Sequence, residues 1–299
     1  MTYQISSPAV RQFARENNVD IDHLARELGR SQLVRADIEN HLMHESGPRT
    51  NPPPKASRTA WDIDHSMFGP VQGNATSRFA QVTAENLGAA QTVIPAVTHH
   101  DCADIGAIEN FRKSLRGDAI KRGVKLTSLA FHVVTLARLL AAFPRFNASL
   151  STDGKTLWFK NYVHIGIAVD TPYGLMVPVI RDADKKGLWH LAREISDLAT
   201  RAQARKIRPD EMGGASISIS NLGGIGGRAF TPMVNPPEVA IVGLTRARME
   251  PIWNGTEFIP TMMCPIDLSY DHRVINGADA ARFVTRYAAL LADPRRLIL

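Results

Sequence analysis

Residues 215–220 alternate one for one between apolar and polar (Ala-Ser-Ile-Ser-Ile-Ser), the period-two pattern of a strand with one buried face. Tyr162–Val169, Gly174–Ile180 and Val239–Leu244 are short, nearly continuous apolar runs and predict buried strands. Leu188–Lys206 repeats its apolar positions at helical spacing. Ala103–Arg116, Ser128–Phe143 and Gly277–Leu291 also predict helices, the second apolar enough to be buried. Strands interleaved with helices across residues 75–299 predict one α/β domain. Ahead of it, Ser7-Pro8 has the form of a helix cap followed by a first-turn proline. The stripe Val10, Phe13, Ala14 follows, and a second stripe, Ile38, Leu42 and Met43, comes after Asp37. These predict two short helices around a loop over 7–43.

Between these regions, residues 44–60 carry Gly47, Pro48, Pro52, Pro53 and Pro54, the composition of a semi-rigid linker. The organisation expected is therefore 1–43 as a small helical domain, 44–74 as linker and 75–299 as the main domain. Composition adds little: 44% hydrophobic and 21% charged residues are ordinary for a globular protein. The excess of 35 Lys and Arg over 29 Asp and Glu suits a phosphorylated ligand. It comes without the basic block or aromatic ladder of a nucleic-acid binder. Cys102 and Cys264 are too few for a disulfide framework or a metal cluster. No signal peptide and no long apolar run is present, so a cytoplasmic protein that does not span a membrane is expected.

The sharpest chemical signal is Ser269-Tyr-Asp-His-Arg-Val-Ile-Asn-Gly277. Together with Phe143-Pro-Arg-Phe-Asn147, Val163–Asp170, Gly174–Ile180, Ile219-Ser-Asn-Leu-Gly223, Ala229–Pro232, Pro237–Ile241 and Ala280–Phe283, it resembles the dihydrolipoamide acyltransferases. These are the core subunits of 2-oxo acid dehydrogenase complexes, and the pyruvate type looks closest. The resemblance implies a two-layer catalytic domain of the chloramphenicol acetyltransferase-like type, preceded by a peripheral subunit-binding domain. It also implies acyl transfer, with acetyl the expected group, between a dihydrolipoyl thiol and coenzyme A, without a metal.

The chemistry suits the residues. A thiol is mostly protonated at neutral pH, and a histidine, which titrates there, can take its proton and return it. That role falls on His272. The oxyanion formed on a thioester wants a fixed donor, and the family's serine falls on Ser220, with Ser218 a second candidate. Asn276 stands where most relatives carry aspartate; an amide cannot be a base, so it orients or hydrogen-bonds. Arg112 matches an arginine that relatives place near the nucleotide phosphate of coenzyme A. Asp271 and Arg273 read as an ion pair shaping the loop. Outside this context a loop histidine is an ordinary polar residue and Ser220 an ordinary strand serine.

Two lookalikes fail. His99-His-Asp-Cys-Ala-Asp104 mimics a metal cluster, but adjacent strand residues point to opposite faces. Gly223–Gly227 mimics a dinucleotide loop without the strand–helix context, and reads as a flexible turn beside Ser220. In the small domain, Arg26–Gln32 replaces the family's glycine-rich loop and its Arg26–Leu28 continues a helical pattern; with Gln32 where relatives carry the loop arginine, weak binding to dihydrolipoamide dehydrogenase is expected. No lipoylation motif occurs in residues 1–74, so a separate lipoyl-domain protein should supply the arm. The family builds its site across a trimer interface, which predicts a homotrimer or a larger cage working beside the 2-oxo acid dehydrogenase. The competing readings are a non-catalytic scaffold subunit, which usually lacks the histidine, and a stand-alone transferase.

Overall fold

A computed structural model describes residues 6–17, 19–29, 32–45 and 63–297. The chain divides into two compact units, residues 1–74 and 75–299. Among its described residues the first holds three α-helices where the pattern predicts two: α1 (Pro8–Glu16), α2 (Ile21–Glu27) and α3 (Arg35–Glu45). Ser7 caps α1 with Pro8 in its first turn. α2, of which the sequence pattern marks only the end at Arg26–Leu28, starts because the Asp20 side chain accepts from the amides of Asp22 and His23. Leu24 and Ala25 then join Ala14, Leu33 and Ile38 in a small core. Most of the Pro-rich stretch lies outside the described residues.

The second unit runs α4 (Arg78–Val93), β1 (Ala96–Asp104), α5 (Gly106–Ser114), α6 (Arg116–Lys121), α7 (Ser128–Ala142), β2 (Ala148–Leu150), β3 (Leu157–Phe159), β4 (Ile165–Thr171), β5 (Gly174–Met176), β6 (Val179–Ile180), α8 (Leu188–Gln203), β7 (Ile217–Asn221), β8 (Ala240–Leu244), β9 (Arg248–Trp253), β10 (Phe258–Asp271) and α9 (Gly277–Leu291). The helix predicted from Ala103 starts three residues later, because Ala103 and Asp104 complete β1. The strand predicted over 174–180 splits into β5 and β6 around Pro178, which has no amide to donate to a ladder.

The main sheet is ordered β1-β10-β8-β7-β4-β5, with β6 on β4 and β9 on β10. β4, β7 and β8 are parallel; β8 and β10 are antiparallel. One face is apolar: Ile217 and Ile219, Val242 and Leu244, Ile266 and Leu268 meet Leu136, Leu140, Leu191 and Phe283 in the core. Against this face α9 lies on β1 and β10, α8 on β4 and β6, and α7 packs between them. The alternate positions, Ser218, Ser220, Gly243, Asp267 and Ser269, fall on the other face. There, α4 covers part of the sheet through Ala90 and Ile94, which pack with Val234 and Ile241. The sheet therefore seals one face with hydrocarbon and devotes the other to polar chemistry.

Candidate active site

His272 follows the last residue of β10 in a tight turn, in which the amides of Val274 and Ile275 both donate to the Asp271 carbonyl at 3.0 Å. The buried Asp271 carboxylate is gripped by its own loop: the Arg273 amide and Nε donate to Oδ1 at 3.0 Å and its terminal nitrogen to Oδ2 at 2.7 Å. This pairing lifts the Arg273 guanidinium above its ordinary value. Arg145, from the Phe143–Asn147 motif, donates to the Val274 carbonyl at 3.2 Å, so two separated motifs meet under one loop. The His272 amide donates to the Pro95 carbonyl at 3.1 Å, and its exposed ring lies 5.8 Å from that of Tyr270. The backbone is fixed on both sides while the imidazole stays accessible.

Asn276 caps α9. Its Oδ1 accepts from the Asp279 amide at 2.8 Å and its Nδ2 donates to the Asp279 carboxylate at 2.9 Å. Ser220 lies between Ala168 of β4 and Gly243 of β8, half-buried, and its hydroxyl has no hydrogen-bond partner among the described residues. Gly243 is required beside it, because a Cβ there would stand 2.7 Å from the Phe230 ring. Ser218 is not a free donor: it is buried and donates to Glu238 Oε1 at 3.0 Å.

A cleft of about 820 Å³ opens beside the strand of Ser220, lined by Asn221, Gly223, Gly224 and Arg246 and by Arg112, Lys113 and Lys125. Arg112 is largely spent on Glu109, donating to both carboxylate oxygens at 2.7–3.1 Å. Lys113 and Lys125 form no ion pair among the described residues and add positive charge to the wall, a contribution sequence reasoning missed because they lie singly on different elements. The glycine turn is held rather than loose: Arg246 donates to the carbonyls of Gly223, Gly224 and Ile225, and Arg248 to that of Gly227. The rejected histidine pair behaves as strand geometry requires. His100 meets Asp267 at 2.6 Å while His99 faces away, and no group able to hold a metal ion occurs among the described residues.

Ser220 and His272 do not meet within one chain. Ser220 is level with Gly243, and Gly243 with Asp267, two strands across. His272 lies five residues beyond Asp267; at ~3.3 Å per residue and ~4.8 Å per strand the separation is on the order of 15 Å or more.

Residues 70–299 match the family of 2-oxoacid dehydrogenases acyltransferase (catalytic domain). The chain belongs to this family. It is 45% identical over 299 residues to the dihydrolipoyllysine-residue acetyltransferase component of the pyruvate dehydrogenase complex of Pseudomonas aeruginosa, and 42% identical over 305 residues to that of Cupriavidus necator. Each alignment takes in 98% of this chain and 55% of the relative, so the chain spans about half the length of these curated relatives. Among solved structures of the family, the dihydrolipoamide acetyltransferase of Azotobacter vinelandii, investigated for the role of a serine, a histidine and an asparagine in its catalytic mechanism, superposes with a TM-score of 0.78 at 48% identity. That match covers 79% of this chain and 98% of the other. The cubic core of a pyruvate dehydrogenase multienzyme complex matches with the same TM-score at 49% identity, covering 79% and 98%. The expected acyltransferase-type α/β fold is thus found. No described helix is long and apolar enough to cross a membrane.

Proposed function

We propose that the chain transfers an acetyl group between a dihydrolipoyl thiol and coenzyme A, with His272 as the base and Ser220 as the oxyanion donor. The observation that carries this reading is spacing. The serine, histidine and asparagine studied in the Azotobacter vinelandii enzyme stand at the same intervals as Ser220, His272 and Asn276 here. His272 removes the proton of the attacking thiol, whose sulfur forms a bond to the thioester carbon. Ser220 donates to the oxygen that becomes negative. As the original carbon–sulfur bond breaks, His272 returns the proton to the leaving thiolate. Asn276 holds the start of α9, and so the end of the His272 loop.

The two groups must converge within hydrogen-bonding reach of one substrate, which one chain does not permit. The site is therefore shared, His272 from one copy and Ser220 from another, in a trimer or a cage of trimers. The cation-lined cleft suits the phosphates of coenzyme A, with Lys113 and Lys125 beside the paired Arg112. The lipoyl group reaches the site from outside residues 1–299, and residues 1–43 serve as a subunit-binding domain joined to the catalytic domain at 75–299 by a linker. The 2-oxo acid dehydrogenase and, through that small domain, dihydrolipoamide dehydrogenase are the partner enzymes such a core serves.

The test is acetyl transfer from acetyl-coenzyme A to free dihydrolipoamide. The wild-type chain should turn over, and His272→Ala should lower kcat by at least ~10²-fold, the range of a lost general base. Turnover of the variant within a few-fold of wild type removes His272 from the mechanism. An inactive wild-type assembly favours a scaffold subunit.

A further inference from the structure

We propose that Glu238 is a positioning residue for Ser220, holding the strand that carries it through the hydroxyl of Ser218. The inference rests on the acyl-transfer reading above. Glu238 is 5% exposed and lies two residues before β8. Its Oε1 accepts two hydrogen bonds, from Ser218 Oγ at 3.0 Å and from Asn235 Nδ2 at 3.2 Å. Its Oε2 is buried with no partner among the described residues. A buried carboxyl left half-paired costs free energy, so packing alone does not account for it.

The backbone around Glu238 is anchored on every side. Its amide donates to the Asn235 carbonyl at 3.0 Å, the preceding Pro237 carbonyl accepts from Ser149 Oγ at 2.6 Å, and the following Val239 carbonyl accepts from the Asp271 amide at 2.8 Å. Glu238 is thus a fixed point against which Ser218 is set. Opposite, Ser218 lies over Gly166 of β4, where an added Cβ would overlap its hydroxyl and stand 2.9 Å from Val177. The Glu238 carboxyl on one side and bare glycine on the other fix the height of Ser218 on the sheet. Ser220 is two residues further along the same strand on the same face, so a displacement at Ser218 carries to its hydroxyl. Among the described residues that hydroxyl has no hydrogen bond of its own to hold it. An oxyanion donor works only at hydrogen-bond distance, so a shift of a fraction of an ångström is felt in the rate.

Two variants separate positioning from bulk stability. Glu238→Leu keeps the volume and removes the acceptor; Glu238→Gln keeps an oxygen for Ser218 and Asn235. In the acetyl-transfer assay, Glu238→Leu should lower kcat roughly tenfold and Glu238→Gln should restore most of it. In a Ser220→Ala background the same Glu238→Leu change should cost less than about twofold, because a residue acting through Ser220 has nothing left to position. A full tenfold loss in that background overturns the proposal. Hydrogen exchange gives a readout independent of activity: amides of Ile217–Asn221 should lose protection in Glu238→Leu and regain it in Glu238→Gln. Wild-type protection in Glu238→Leu overturns the proposal even if the assembly proves inactive, whereas an inactive wild type with the expected exchange pattern counts only against the acyl-transfer reading. Should Glu238→Leu fail to assemble, Ser218→Ala removes the other half of the same bond and is judged by the same two results.

Discussion

Three serines at alternate positions of one strand segment have three fates. Ser216 accepts from the His164 amide and donates to the Tyr162 carbonyl, Ser218 donates to Glu238, and Ser220 keeps its hydroxyl free. Only the last can answer a substrate. Ser220→Ala is expected to lower kcat by ~10²-fold with KM nearly unchanged, since an oxyanion donor acts in the transition state. A raised KM at full kcat, measured by steady-state kinetics, would make Ser220 a binding residue instead. Two other buried groups set opposite pH dependences of stability. Burial pushes the His132 imidazole, hydrogen-bonded to Tyr287, down to about 4, and burial pushes the Glu238 carboxyl up to about 7. Between pH 4 and 6.5 the unfolded chain binds the proton that native His132 refuses, so this group adds stability as pH rises. Between pH 4.5 and 7 native Glu238 holds a proton the unfolded chain releases, so stability falls as pH rises. Each contributes up to about 3 kcal/mol and they oppose each other. Replacing one should expose the other: relative to wild type, His132→Leu should be favoured at pH 5 over pH 7, and Glu238→Gln at pH 7 over pH 5. Denaturant unfolding at the two values decides it; parallel shifts in both variants would refute the assignment.

At the scale of elements, α9 and β10 show how a motif is held. Asn276 supplies the start of α9, and Asn276→Ala should cost about 1 kcal/mol through the lost cap. If its role is confined to capping, kcat per assembled chain should fall no more than about twofold; a loss of ~10²-fold at unchanged unfolding midpoint would place Asn276 beside the reacting atoms. β10 changes partners along its length, from β9 over Phe258–Met263 to β8 over Ile266–Tyr270, with Cys264 and Pro265 between the two ladders. Pro260 and Pro265 break the strand pattern in sequence, which is why this fourteen-residue strand was not foreseen. α4 was missed for a different reason. It covers the sheet with Ala90 and leaves Phe79 and Val82 exposed, so it has no continuous apolar stripe to read.

For the whole molecule, the proposed roles of Ser220 and His272, separated within one chain, require activity to be a property of an assembly. Light scattering should find a trimer or a multiple of it, and dilution to monomer should abolish acetyl transfer; an active monomer would refute the shared site. A mixture of His272→Ala and Ser220→Ala chains, co-assembled, should recover part of the wild-type rate, because some interfaces then combine an intact histidine with an intact serine. In the small unit, α2 runs through Arg26 and Glu27, as the pattern there predicts. Residues 1–45 should accordingly bind dihydrolipoamide dehydrogenase weakly, and submicromolar affinity by calorimetry would overturn that expectation.

His272 and the Asp271–Arg273 pair were legible in order along the chain because they are local: a nine-residue motif holds the end of β10, its turn and the start of α9. The helix–strand alternation and the apolar face of β7 were legible for the same reason, since periods of 3.6 and 2 are written into consecutive residues. Lys113 and Lys125 facing one cleft, Arg145 beneath the Val274 carbonyl, and the choice of Ser220 over Ser218 as the free hydroxyl were not. Each depends on which strand lies beside which, and sheet order brings together residues far apart in sequence. The chain's own pattern determined which residue types are available for chemistry and which face of each element is apolar; only the tertiary structure decided which partners those residues meet, because side-chain hydrogen bonds and packing are settled between elements rather than along them.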